Sequence, residues 1–593
     1  MPQRALPEGL RVKEVTSQRG MVVTANAAAS WAGVRMLESG GNAIDAAVAA
    51  AFALTAAEPG SSGIGGQTYL LVRFRDGRAI AIDGSARAPL SASAEELATL
   101  CERQHLTHPD TSFFGYKAVA TPGTLAALGL ALERYGTKSL AEVIEPAIEI
   151  AEFGSTWTPA HHAFMVYYNE KVRESPYLGR IFLKDGVETW DVSHVYCNPD
   201  LACFLRRLAA VGIDDFYHGD IAREIEEDMI AHGGWLRLAD LGMMEAKERE
   251  PVRGRYRGLD VLSFPFPAGG ATVVETLGIL DRFPPQVLRE DTADRLHLLL
   301  EACRLAYADG FPVRRPNRLP DALAADSLQL SRRAALIRFD RALHEGEVSS
   351  SSLSTLVVDG TSEVSIADAY GNVVALTQTV GATFGSGVAT EHFGFVYNSL
   401  MNGFEFTDTR AWSYLAPLQP PKNSMAPTIV LKDGRPLLVL GTGGSARIGP
   451  IIVNTIVAVV DRQLPLCEAV ATPRALWGGN RDRESYIEIV DPITEAQADA
   501  LKARGFERQV RLTYPASAID LTDFGGVNAI FIDPSDGTMV GVGDPRRQGV
   551  AAAPRDGPFP AEPAPTLPDC WQSLYATGRS SEPTSRITPA RAP

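Results

Sequence analysis

A chain of 593 residues is long enough for two to four ordinary cores or for one large layered fold. Its 45% hydrophobic and 21% charged residues read as a soluble globular protein. With 71 acidic against 56 basic residues the net charge is -15, and no block of like charges dominates any segment. A nucleic-acid backbone is therefore excluded as the expected partner, in favour of a small molecule or peptide.

In chain order, Ser30 reads as the N-cap of a helix over "WAGVRMLES" that Gly40-Gly41 stops, and Asn42 opens a second helix through Ala57. The alanines of that second helix predict close packing on both sides. A glycine-rich loop, "EPGSSGIGGQ", then leads into two strands, "TYLLVRF" and "AIAID". Helical periodicity returns in "GTLAALGLALERYG", "LAEVIEPAIEIAEFG" and "ADRLHLLLEACRLAYAD". Past Thr361 the texture changes to strands: "EVSIAD", "VVALTQT", "APTIVLKDGRPLLVLGTG" with an Asp433-Gly434 turn, and "NAIFIDPSDGTMVGVG" with an Asp536-Gly537 turn. Helices are expected over "ARIGPIIVNTIVAVVDRQ" and "ITEAQADALKARG". The stretch from 550 to 593 is rich in Pro, Ser and Ala and reads as a disordered tail. Segregated helices and strands predict an α+β layered architecture with antiparallel sheets covered by helices.

The most apolar run, "AIDAAVAAAFALTAA", is too short to span a bilayer, and the first twenty residues lack the apolar core of a secretory signal, so a cytoplasmic protein without a membrane partner is expected. Six scattered cysteines form no CxxC pair, and ten histidines form no HExxH or HxH pattern, so no metal site is expected. His105, His108 and the pair His161-His162 read as solvated. "GIGGQ" and "GTGGSARIG" lack the lysine and the strand-to-helix setting of phosphate loops. No serine sits in a GxSxG elbow.

One threonine has a second reading. Asp359-Gly360 stands directly before Thr361, and a threonine freed by cleavage of the bond before it can use its own α-amine, which titrates near ~7.7 to 8.0, as general base. Gly360 would leave its carbonyl open to attack and allow a strained backbone. From these residues alone, an ordinary strand start and a nucleophile both remain open.

Separated stretches tip that balance. "GMVVTANAAASWAGVRMLESGGNAIDAAVAAAFALTAAEPGSSGIGGQTYLLV", "VATPGTLAALGLALERYGTKSLAEVIEPAIEIAEFG", "EACRLAYAD", "TSEVSIADAYGNVVALTQTVGATFGSG", "MAPTIVLKDG", "GTGGSARI" and "GDPRRQG" resemble, in order and spacing, the γ-glutamyltransferase family of self-cleaving N-terminal-nucleophile hydrolases. The resemblance runs from about Gly20 to Gly549. It implies a four-layer αββα sandwich and cleavage at Gly360-Thr361. The expected products are a large chain from 20 to 360, behind an N-terminal extension over 1–19, and a small chain from 361 to 549 with the tail behind it. It implies a heterodimer of these chains, with a dimer of heterodimers as a further expectation, and no cofactor. Thr361 matches the nucleophile, Thr379 the threonine that hydrogen-bonds it, and Gly443 and Gly444 the backbone donors of the oxyanion hole.

The glutamate-binding positions depart from the family. The arginine that clamps the substrate α-carboxylate aligns with Ser85, with Arg87 two residues on. The aspartate that holds the α-amine becomes Gly403, with Glu405 the nearest acid. The paired serines become Asn423-Ser424, and an asparagine after Thr379 becomes Gly381. Charge-assisted hydrogen bonds contribute about 1.5 to 3 kcal/mol each, so losing two predicts weaker discrimination for glutamate by roughly a hundredfold. The leading expectation is an amidohydrolase or acyltransferase with an altered acyl pocket. The alternatives are a true γ-glutamyltransferase, glutathione hydrolase included, in which Arg87 and Glu405 replace the clamp, and a non-catalytic scaffold.

Overall fold

The computed structural model describes residues 13–107, 114–311, 319–348, 360–477, 486–490, 493–512 and 525–555. Fourteen strands build two antiparallel seven-stranded sheets. In chain order they are β1 (Glu14–Ser17), β2 (Gly20–Thr24), β3 (Gln67–Arg73), β4 (Ala79–Gly84), β5 (Lys247–Arg249), β6 (Val252–Tyr256), β7 (Leu259–Ser263), β8 (Gly360–Asp368), β9 (Val373–Gly381), β10 (Thr428–Lys432), β11 (Arg435–Gly441), β12 (Asn528–Ile532), β13 (Met539–Gly543) and β14 (Val550–Ala552). One sheet runs β14-β2-β8-β9-β3-β4-β5 and the other β1-β13-β12-β11-β10-β7-β6.

The sheets stack face to face. Tyr69, Leu71, Ala367 and Ala375 of the first pack with Leu438, Ile530 and Val542 of the second in one core, and the Tyr69 and Phe264 rings stack at 4.2 Å. Side chains of alternate residues point to opposite faces of a strand, so Leu70, Val72, Val364, Ile366 and Leu376 face the other way. They pack under α1 (Ala27–Glu38), α2 (Ala43–Ala57), α3 (Thr124–Tyr135) and α4 (Leu140–Phe153). Against the second sheet lie α5 (Gly270–Leu280), α6 (Ala293–Gly310) and α7 (Ile448–Val460). The order is helices, sheet, sheet, helices, as the resemblance implied.

All fifteen residues of α2 are buried, the outcome the alanine run predicted, and its N-terminus is closed by a capping box in which Asn42 and Asp45 bond each other's backbone N–H groups. The first helix begins earlier than its expected cap. Asn26 accepts from the Ala28 N–H, whereas the Ser30 hydroxyl, inside the helix, bonds Thr24 and the Val550 carbonyl. The two terminal boundaries also move. β1 lies within residues 1–19 and pairs with β13, and β14, inside the supposed tail, pairs with β2. Strands of three or four residues carry little pattern to read, and here the partner strand, not local sequence, orders them. Residues 556–593 lie outside the described residues.

Candidate active site

The long hairpin of β8 and β9 carries the proposed nucleophile. Its register puts Thr361 opposite Thr379 and Gly360 opposite Gly381, with a shift in pairing between Gly360 and Thr361. The Thr361 hydroxyl donates to the Thr379 hydroxyl at 3.1 Å, and the Thr379 hydroxyl donates to the Gly360 carbonyl. The Gly381 N–H donates to the same Thr379 oxygen at 2.9 Å. The Thr379 hydroxyl is thus threaded between the nucleophile oxygen and the carbonyl it would attack. Both threonines are buried.

Glycine stands at four positions around this hairpin end for identifiable reasons. A Cβ on Gly360 would meet the carbonyl oxygens of Gly381, Gly60 and Ala382 at 3.0 to 3.1 Å, so crowding by three backbone groups disfavours a side chain here. The left-handed backbone that would make Gly360 a strained residue is not what the structure has. Gly381 does sit at φ +92, and a Cβ there would stand 2.6 Å from the Ser399 hydroxyl, which leaves no place for the family's asparagine. Gly443 approaches so closely that a Cβ would stand 2.4 Å from the Thr361 carbonyl oxygen, and Gly444 next to it has φ +126. Asp359 lies outside the described residues.

Three side chains that sequence reasoning passed over, Arg547, Glu363 and Glu58, surround this hairpin end, with His161 beside them. Arg547 donates to the Thr361 carbonyl at 3.1 Å. It is delivered by a turn that Asp544 anchors: this buried carboxylate pairs with Arg474 at 2.7 Å and Arg546 at 3.2 Å. Burial would raise the Asp544 carboxyl, but the two guanidinium groups hold it below the ordinary range. Glu363, two residues after Thr361 and so on the same face, is fully buried against Gly441 and accepts from the Thr377 hydroxyl. Burial pushes its carboxyl well above the ordinary range, against the hydrogen bond from Thr377. The signal was available in the period-2 pattern of "TSEVSIAD".

Glu58 and His161 lie on the open edge of β8. Ser362 donates to Glu58 Oε2, and Glu58 Oε1 stands 3.6 Å from His161 Nε2. His161 is therefore not the solvated residue its polar neighbours suggested: its side chain is only 15% exposed. His162 bonds the Trp190 carbonyl at 2.8 Å.

The positions that depart from the family are scattered in their engagement. Ser85 bonds Tyr69 and donates to Asp83, which itself pairs with Arg249. Arg87 is held in a backbone bridge with Thr121, half-buried, and its guanidinium has no hydrogen-bond or ion-pair partner among the described residues. Glu405 Oε1 accepts from the Phe406, Thr407 and Asp408 N–H groups, so that oxygen closes its own loop. A Cβ on Gly403 would stand 2.6 Å from Pro421 Cβ and 3.0 Å from the Lys422 carbonyl, so an aspartate has no room. Asn423 Oδ1 accepts from the Met425 N–H at 2.7 Å, while its buried Nδ2 lacks a partner among the described residues. The Ser424 hydroxyl donates to the Ser445 carbonyl at 2.7 Å, tying this run to the loop of Gly443 and Gly444. Beside them is a residue the sequence reading did not weigh, Lys422, only 2% exposed. Burial lowers its ammonium to about 8 although Glu405 opposes the shift. A lysine within "QPPKNSMAP" was the visible sign.

A family model described as gamma-glutamyltranspeptidase matches residues 29–554. The acylase ACY 1 proenzyme of Pseudomonas sp. (strain SE83) is 37% identical over 548 residues, covering 91% of this chain and 94% of that protein. The glutathione hydrolase proenzyme of Escherichia coli (strain K12) is 32% identical over 551 residues, covering 90% and 91%. Among solved structures, the cephalosporin acylase from Bacillus halodurans superposes with a TM-score of 0.82 at 27% identity, covering 94% of this chain and 99% of that one. With a model match over most of its length and relatives aligned nearly end to end, the chain belongs to the gamma-glutamyltranspeptidase family of N-terminal-nucleophile hydrolases and acyltransferases.

Proposed function

We propose that the chain is a self-cleaving N-terminal-threonine acylase that hydrolyses the amide of a small carboxylated acyl group through a threonyl ester. The observation that carries this reading is the relay from the Thr361 hydroxyl through the Thr379 hydroxyl to the Gly360 carbonyl. In self-cleavage, Thr361 Oγ forms a bond to the Gly360 carbonyl carbon. The C–N bond then breaks as the nitrogen takes a proton, and water hydrolyses the resulting ester to a Gly360 carboxylate and a free Thr361. The two chains, 1–360 and 361–593, stay together as a heterodimer.

In turnover the Thr361 amine takes the hydroxyl proton as Oγ attacks the substrate carbonyl, and returns it to the leaving amine; water then resolves the ester. Gly443 and Gly444 supply the oxyanion donors, a role supported by the approach of Gly443 to Thr361. Two features favour an acyl group other than γ-glutamyl: Gly403 cannot be replaced by an amine-binding aspartate, and Lys422 puts a buried cation in that wall. A carboxylate on the acyl chain fits Lys422 and the unpartnered donor of Asn423, and the relatives named acylases support the same direction.

A second reading, γ-glutamyl transfer, is favoured by the guanidinium of Arg87, which has no partner among the described residues and could meet an α-carboxylate, and by the relatives named glutathione hydrolases. Denaturing gels and turnover of glutaryl-p-nitroanilide against γ-glutamyl-p-nitroanilide separate the cases. Two bands with glutaryl preferred supports the acylase; micromolar KM for the γ-glutamyl amide overturns it. A single band after long incubation removes both readings and leaves a scaffold.

A further inference from the structure

The α-amine freed at Thr361 must be held so that its lone pair faces its own hydroxyl, and the hairpin side chains beside it are hydroxyls with partners of their own. The two hydroxyl oxygens are already engaged with each other and with Gly360, and the neighbouring position 381 is a glycine. The opposite edge of β8 is different. β2 ends at Thr24, paired with Val364, so the β8 edge from Gly360 to Glu363 has no strand beside it. The place in line with β2 is filled by Ala25 and by Arg547 and Gly549, which precede β14.

In an extended strand the N–H and C=O of one residue point to the same edge. Because the Thr361 carbonyl accepts from Arg547 on this side, the Thr361 nitrogen points into the same narrow cleft. Its lining includes Glu58, Ser61, His161, Glu363 and Arg547. Of the charged or titratable groups there, Arg547 is a cation on the Thr361 carbonyl, and the Glu363 carboxyl is turned away onto the Thr377 hydroxyl and Gly441. That leaves Glu58 and, beyond it, His161. Glu58 is anchored one residue from the nucleophile by the Ser362 hydroxyl, and it is 7% exposed.

We propose that Glu58 is a positioning residue for the Thr361 α-amine: its carboxylate accepts the amine N–H bonds, aims the lone pair at Oγ, and stabilises the ammonium formed when that nitrogen takes the hydroxyl proton. The proton then passes to the leaving amine, and Glu58 itself gains and loses none. This rests on the reading that the Gly360-Thr361 bond is cut, and the two are separable by experiment.

Intact mass of purified Glu58→Gln, together with the pH profile of kcat/KM for a p-nitroanilide substrate, tests it. An opposite charge nearby favours the protonated amine, so removing it lowers the amine's pKa. The acid limb is expected to move down by about one pH unit while the plateau rate falls about tenfold. A merely structural role would lower the plateau with the limb in place. Cleaved Glu58→Gln with an unmoved limb overturns the proposal and leaves the cleavage reading intact; wild-type protein of uncut mass overturns both. Should Glu58→Gln alone stay uncut, Ser362→Ala, which frees the carboxylate from its anchor and keeps its charge, decides the matter: a downward shift supports the assignment and an unmoved limb refutes it.

Discussion

The hairpin end at Thr361 and the loop wall from 402 to 424 are built on opposite terms. At the hairpin, strand register places each hydroxyl, and both threonine oxygens have partners within the fold. In the wall, Gly403, Lys422 and Asn423 sit outside the strands, and a buried amide donor is left without a partner among the described residues. Buried polar groups are normally satisfied, so the open Asn423 donor is a place that a bound molecule would complete, whereas at the hairpin the two threonine hydroxyls have their partners and, among the described residues, the open atoms are those of Glu363 and Gln378. On the proposed function, chemistry would rest on strand register and selectivity on loop geometry.

That contrast can be broken most severely at its centre. Thr361→Ala is expected to leave a single uncut chain with no measurable amidase activity, read by intact mass and a chromogenic amide. Asp544→Asn comes next. Removing one member of a buried ion cluster leaves Arg474 and Arg546 without their anion, and a loss of about 3–5 kcal/mol in urea unfolding is expected, with slower self-cleavage because the Arg547 turn loosens. Thr379→Val keeps the shape and removes the donor to the Gly360 carbonyl; self-cleavage followed on gels should slow by about a hundredfold or more.

The mildest change probes the wall. Lys422→Met should raise KM for a carboxylated acyl substrate by about ten- to a hundredfold with kcat nearly unchanged, since a charge-assisted bond is lost without touching the hairpin. The sign with pH is fixed by burial. The Lys422 ammonium, lowered to about 8, predominates below that value, so KM of the native enzyme should be lowest there and climb above pH 8. The Met variant should show no such rise.

The hairpin was legible in sequence because strands alternate. Once β8 and β9 are paired, Thr361, Glu363, Thr377 and Thr379 fall on one face without further information. The same holds for α2, whose alanines announced its burial. Glu58 and His161 were not legible, because they reach the β8 edge from a loop and a separate helix, and only the early end of β2 opens the space they enter. Arg87 and Glu405 were placed by sequence distance to the departed positions, and what that distance does not carry is loop geometry, which turns a Glu405 oxygen onto its own backbone. Terminal strands β1 and β14 escaped notice since their partners lie hundreds of residues away.

The strand order has a last consequence. In the first sheet β2 lies between β14 and β8, and in the second the run β13-β12-β11-β10 lies between β1 and β7. A cut at Gly360-Thr361 therefore divides each sheet into strands of alternating parentage. Neither product can leave without tearing ladders in both sheets, so the pair should not exchange partners in dilute solution. Unfolding removes that protection: the uncut chain refolds as a first-order process, whereas the cut one must first find its other half, and its recovery should depend on concentration.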